Sequence, residues 1–105
     1  MIFISYWELN DSFDPTELSE LAQSLINKKV WPVKGVKEIA WYMSTSDYWG
    51  ITIADADTEE QMVEMAGMWR IAKPGIFKLV KTTPAMEIVK VLPLIMKLGV
   101  KIKES

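Results

Sequence analysis

Glu38, Tyr42, Tyr48 and Thr52 stand in the stretch EIAWYMSTSDYWGIT. They supply one carboxylate, two phenol rings and a hydroxyl, with Ala40 and Gly50 between them. Those are the groups of a small-molecule site: apolar walls, a few placed polar anchors, and small residues that leave room. Two aromatic pairs, Trp41-Tyr42 and Tyr48-Trp49, mirror each other about the polar turn Ser44-Thr45-Ser46-Asp47. A hairpin with Tyr42 opposite Tyr48 places Trp41 opposite Trp49, Ala40 opposite Gly50 and Ile39 opposite Ile51. Side chains alternate faces along a strand. One face then holds Ile39, Trp41, Trp49, Ile51 and Ile53 and is expected to be core under helices. The other holds Glu38, Ala40, Tyr42, Tyr48, Gly50 and Thr52. Neighbouring strands add Ser5 and Trp7 to that second face, and less directly Lys78. That face reads as a plain dimer interface through which the module assembles, or as the wall of a ligand pocket; as a pocket it suits a small, flat, uncharged or weakly cationic molecule.

The sequence contains no histidine and no cysteine. Ser-His and Cys-His catalysis are excluded, as are thiolate metal sites and the usual proximal haem ligand. If the site is catalytic, Glu38 is the candidate base, with Tyr42 or Tyr48 as acid or oxyanion donor. No stronger catalytic constellation is present, so binding is favoured over catalysis, and no cofactor or metal is expected. Asp55, Asp57, Glu59 and Glu60 lack the glycine and the spaced acids of a calcium loop, and read as a strand end and a helix first turn. Lys28, Lys29, Lys34 and Lys37 surround Trp31, a pairing that can bind single-stranded nucleic acid; the plainer reading is a helix end with a loop tryptophan covering the edge of the core. Met62, Met65, Met68, Met86 and Met96 read as packing. The glycines are isolated, so no phosphate cradle forms and a nucleotide is not expected.

These side chains need elements to hold them. IFISYWEL, residues 2–9, reads as a strand. Asp14-Pro15-Thr16-Glu17 opens a helix, with Asp14 as cap, Pro15 at the first helical position and Glu17 at the capping-box position. Leu18, Leu21, Ala22, Leu25 and Ile26 give it one apolar face, and it ends near Asn27-Lys28-Lys29. VKEIAWYM and YWGITIAD are the second and third strands. Asp57-Thr58-Glu59-Glu60 starts a second helix with Met62, Met65, Ala66 and Trp69 as its stripe, broken by Lys73-Pro74-Gly75. IFKLVKT is the fourth strand. Thr83-Pro84 is expected to open a third helix, apolar nearly all round, kinked or split at Pro93 and ended by Gly99. The order β-α-β-β-α-β plus a helix predicts an α+β, ferredoxin-like sheet. One domain spans 1–105, with a core over 1–82 and a C-terminal helix and basic tail over 83–105.

With 105 residues, half of them apolar and a quarter charged, the chain has the balance of a globular domain with one modest core. Residues 1–69 hold four lysines against twelve acids; residues 70–105 hold Arg70 and seven lysines against Glu87 and Glu104. A net basic domain of the kind that binds nucleic acid is not present. Met1 runs into Ile-Phe-Ile-Ser without a basic leader region, and the apolar stretch Ala85–Val100 is broken by charges. A cytoplasmic protein without a membrane partner is therefore expected. One small domain has limited means to cover both sheet faces and an apolar third helix. This predicts a homodimer or a higher oligomer of dimers.

The element order, the Gly35-Val36 opening of strand two, the Asp-Ala-Asp-Thr-Glu-Glu run at 55–60 and the tract Trp69–Lys81 resemble the dimeric α+β-barrel group of ferredoxin-like proteins, over about residues 1–82. The resemblance implies two sheets packed face to face about a two-fold axis. It also implies a pocket inside the barrel or between sheet and helices. The group includes cofactor-independent monooxygenases and isomerases, the class that the alternative reading with Glu38 as base would enter. Its haem-degrading members rely on a histidine absent here.

Overall fold

The computed structural model describes residues 1–104. Its elements are β1 (Ile2–Leu9), α1 (Pro15–Asn27), β2 (Lys37–Met43), β3 (Trp49–Asp55), α2 (Glu59–Ala72), β4 (Phe77–Ala85) and α3 (Ile88–Glu104). The four strands form one antiparallel sheet in the order β2-β3-β1-β4. This is the ferredoxin-like β-α-β-β-α-β topology with an added C-terminal helix. The barrel expected from the resemblance is not formed. The sheet is open, with β2 at one edge and β4 at the other, and among the described residues no strand pairing joins those edges. The chain therefore lacks the closed sheet that defines the α+β-barrel group.

Helices α1 and α2 cover one face only. Phe3, Ala54, Leu18, Leu25, Met62, Met65 and Trp69 form the core between them, joined by Trp31, Val36 and Ile76 from the connections. The hairpin register differs from the mirror-pair expectation. Trp41 lies opposite Thr52, Tyr42 opposite Ile51 and Met43 opposite Gly50, with an irregularity between Glu38 and Ala40. Past that irregularity the slip is an odd number of residues, so the β3 side chains change face relative to Ala40–Met43, whereas Glu38, opposite Ala54, keeps the face of Thr52 and Ala54. Two features set it. Ser44 and Asp47 bond the loop backbone through Ser46 N–H and Tyr48 N–H, at 3.2 and 2.7 Å, which widens the turn. In addition, Gly50 is held beneath Trp7. A Cβ on Gly50 would lie 2.4 Å from the Trp7 ring and 2.3 Å from the Tyr42 carbonyl oxygen. Trp41 consequently faces the helices as expected. Trp49, Ile51 and Ile53 face the opposite way, and Trp49 is 41% exposed.

Both helix starts follow the sequence signals. Asp14 accepts from Thr16 N–H at 2.8 Å with Pro15 in the first turn. Thr58 caps α2 in a capping box with Gln61. Glu17 does not take the capping-box role; it pairs with Lys73, tying α1 to the end of α2. Helix α1 ends in a Schellman arrangement, Lys29 N–H to the Ile26 carbonyl and Val30 N–H to that of Leu25. Lys29 occupies the left-handed position there, at φ 60°.

The third helix departs from expectation at both ends. Strand β4 continues through Thr83-Pro84 to Ala85, pairing Pro84 with Phe3 and Ala85 with Ile2. An edge strand tolerates a proline because its missing N–H has no ladder partner to lose. The cap-then-proline signal was therefore ambiguous, and β1 decides it. Helix α3 starts at Ile88 and passes both Pro93 and Gly99 to reach Glu104; none of its side chains is buried. The molecule measures 58 × 30 × 20 Å. Among the described residues, no helix is long and apolar enough to cross a membrane.

Three outcomes follow for this architecture. Lys29→Gly relieves the left-handed backbone and raises stability by about 0.5–1 kcal/mol in urea unfolding. Gly50→Ala overpacks the Trp7 contact and lowers stability by about 1–3 kcal/mol. Tyr6 donates to Glu8 at 2.6 Å. That bond, with smaller contributions from burial and the Glu8 and Asp47 charges, pushes the Tyr6 hydroxyl above the ordinary 10.0. The protonated phenol is the favoured form, so its contribution is complete below pH 10.0 and is lost as pH rises through the raised value. Ultraviolet titration should show Tyr6 ionising above its ordinary value, and Glu8→Gln should move it downward.

Candidate functional site

The helix-facing floor of the sheet is made of small side chains: Ser5 on β1, and Gly50, Thr52 and Ala54 on β3. Large rings stand around it. Trp7 rises from β1, Trp41 from β2, Trp69 from the last turn of α2, and Trp31 from the connection after α1. Trp31, Trp41 and Trp69 contact one another, with centroids 5.1 Å (31–41), 5.3 Å (31–69) and 5.9 Å (41–69) apart in tilted and edge-on arrangements. A floor of short side chains under bulky rings keeps the helices off the sheet. The result is a cavity of about 590 Å³ between them. Met62, Met65 and Leu18 close its helical side. The exposed lining residues Pro15 and Ser19 of α1 and Thr45, Ser46 and Asp47 of the hairpin loop mark its mouth.

The polar groups inside are few and paired. Trp7 Nε1 donates to Thr52 Oγ1 at 3.1 Å. Thr52 is buried and lines the cavity, and its own hydroxyl proton is left to donate there. Ser5 and Thr82 share a hydroxyl–hydroxyl bond of 3.0 Å. Among the described residues no buried side-chain nitrogen or oxygen lacks a partner. Among the described residues, Asp47, at the mouth, is the one charged side chain in the lining. The cavity therefore offers ring faces, thioethers and hydroxyl donors, and no cation to hold an anion.

Of the residues singled out in the sequence, Trp7, Tyr48 and Thr52 line this cavity, as does Ser5. Glu38 lies on the same side of the sheet, but its carboxylate accepts from Trp31 Nε1 at 3.0 Å and is outside the lining. Tyr42 is on the opposite face and 68% exposed. Lys78, beside the β1–β4 irregularity, is exposed. Trp31, Trp41 and Trp69 were read as structural or as a stripe rather than as site residues. The signal that could have found them is the number of tryptophans set against so many small inward positions. Trp31 is 7% exposed, so the lysines near it have no open ring to share with a base. Asp55 binds the N-terminal ammonium at 3.0 Å. Among the described residues no three acidic side chains converge.

No protein-family model matches the chain, and no curated protein is similar enough to it to count as a relative.

The buried Trp7–Thr52 bond makes a specific demand. Thr52→Val keeps the shape and leaves the indole N–H unpaired. It should cost about 1–3 kcal/mol in chemical unfolding, while Thr52→Ser retains the acceptor and most of the stability.

Proposed function

We propose that this protein is a small binding module that takes a neutral, flat aromatic molecule carrying a hydrogen-bond acceptor into the cavity between sheet and helices. One observation carries the reading. A cavity of about 590 Å³, within the roughly 300–1,000 Å³ of ligand pockets, is lined by Trp7, Trp31, Trp41 and Trp69 and by the hydroxyl of Thr52. Rings supply the contact area and offset stacking; the hydroxyl fixes orientation. The absence of any lysine or arginine in the lining, with Asp47 at the mouth, disfavours carboxylates and phosphates. The catalytic alternative draws no support from Glu38, whose carboxylate is engaged by Trp31 away from the cavity.

The test is quenching of tryptophan fluorescence by coumarin and 2-naphthol, with 2-naphthoate as the anionic comparison. Coumarin and 2-naphthol should quench saturably and raise the melting temperature, and naphthoate should bind more weakly. Trp41→Ala should lower coumarin affinity by about tenfold or more, the loss of about 1.4 kcal/mol. Tyr42→Ala should leave it unchanged. No saturable quenching by either neutral probe, or equal loss in Tyr42→Ala, would refute the assignment.

A further inference from the structure

The two helices leave the second face of the sheet uncovered. It carries Ile4, Tyr6, Trp49, Ile51, Ile53 and Tyr42, and each of these keeps solvent exposure. Tyr6 and Trp49 stack across it with ring centroids 6.0 Å apart. The same chain displays a second apolar surface. Ile88, Leu92, Ile95, Met96 and Leu98 of α3 are each more than half exposed. At helical spacing Lys90, Lys97 and Lys101 fall on one narrow stripe, leaving a wide apolar arc around the rest as far as Ile102, which Lys103 interrupts only in the last turn. Two apolar faces of this size on one small domain mark an interaction surface.

Their dimensions agree. Seventeen residues of helix run about 26 Å and are about 10 Å across. Strands of seven to nine residues run about 23–30 Å. Their charges agree as well. Residues 1–85, which build the body, hold twelve acids against eight lysines and arginines, whereas residues 86–105 hold four lysines against Glu87 and Glu104, so the helix of one copy is drawn to the body of another. The helix points away from its own sheet, which gives the molecule its 58 Å length, and only Met86 and Glu87 separate it from β4.

We infer that α3 lies across the uncovered sheet face of a second copy of this chain, and receives that copy's α3 in return. The contact is a reciprocal helix-on-sheet exchange. It leaves both sheets open and does not depend on the cavity or its ligand. Two footprints of about 26 by 10 Å, each removing surface from both partners, give about 1,000 Å² of projected contact, close to the ~1,200–2,000 Å² of accessible surface that stable interfaces bury.

Light scattering of the full chain at micromolar concentration tests this. The expected mass is twice the 12.0 kDa of one chain. Ile95→Asp on α3 and Ile51→Asp on the sheet should each weaken association at least a hundredfold while circular dichroism stays native. Tyr42→Asp, at a more exposed position on the same face, serves if Ile51→Asp does not fold. Mixing the helix variant with the sheet variant should restore dimers in part, because one intact helix meets one intact sheet. An Ile51→Asp/Ile95→Asp double variant should rescue neither. A 12.0 kDa mass for the unaltered chain at every concentration overturns the proposal, whether α3 folds back or stays free. Dimers lost with Ile95→Asp but kept with both sheet variants overturn it in favour of helix–helix pairing. A monomer whose α3 binds phosphatidylserine vesicles overturns it in favour of a lipid surface.

Discussion

The placement of the Trp7 ring over Gly50 governs the rest of the molecule. A β-strand pair has only two choices of face for each side chain, and an indole of this size admits no Cβ beneath it. Once Gly50 lies under Trp7, Thr52 falls where Trp7 Nε1 can donate to it at 3.1 Å, and Ala54 falls beside Phe3. The β2–β3 register then has to bring Trp41 opposite Thr52. A buried indole N–H without an acceptor would cost about 1–3 kcal/mol, and a one-residue slip would expose the entire apolar set of a strand. The hydrogen bond and the steric contact thus reinforce one register.

That register also makes the cavity. A sheet floor of serine, glycine, threonine and alanine brings little volume to the interior, and the tryptophans that surround it are too large and too rigid to collapse into the gap. Their mutual contacts, tilted and edge-on at 5.1 to 5.9 Å, are worth about 0.5–1.5 kcal/mol per pair beyond the area they bury. Trp31 is further fixed by its bond to Glu38 and by the connection it starts, where Val33 N–H meets the Met65 sulfur at 3.4 Å. The walls are therefore held by interactions of their own and do not need a ligand to stand. A preformed apolar space with a few hydroxyl groups in its wall has the make-up of a ligand pocket.

Charge and apolar surface are distributed along the chain in a way that matches this division of labour. The acidic first two-thirds builds three of the four strands, α1, most of α2 and most of the cavity wall. The basic last third supplies the edge strand β4 and then α3, which leaves the body. Aspartate and glutamate close the helix starts through Asp14 and the first turn of α2, and Lys73 links α2 to α1 through Glu17 and covers the Phe13 ring at 4.5 Å. The lysines of α3 take no such internal part.

Element order, the strand cores, the two helix starts and the stripe of α2 were legible in the sequence, because each depends on local rules: caps, prolines, apolar spacing and strand propensity. Trp7, Tyr48 and Thr52, all three of which line the cavity, were legible as side chains of a type that suits a pocket wall. The face on which the pocket forms was not. The mirror-image aromatic pairs suggested one register. The winning register depends on Trp7, more than forty positions away from Gly50, and on how Ser44 and Asp47 fold the turn. The run of β4 past Thr83-Pro84 likewise needed β1 as a partner before a helix-start signal could become an edge strand. Barrel closure was a matter of what the edges β2 and β4 meet, which no local pattern specifies. Sequence determined which pieces form, because their forces act within a few residues. Tertiary structure decided which face holds the rings and where empty space remains, because those follow from contacts between pieces far apart in the chain.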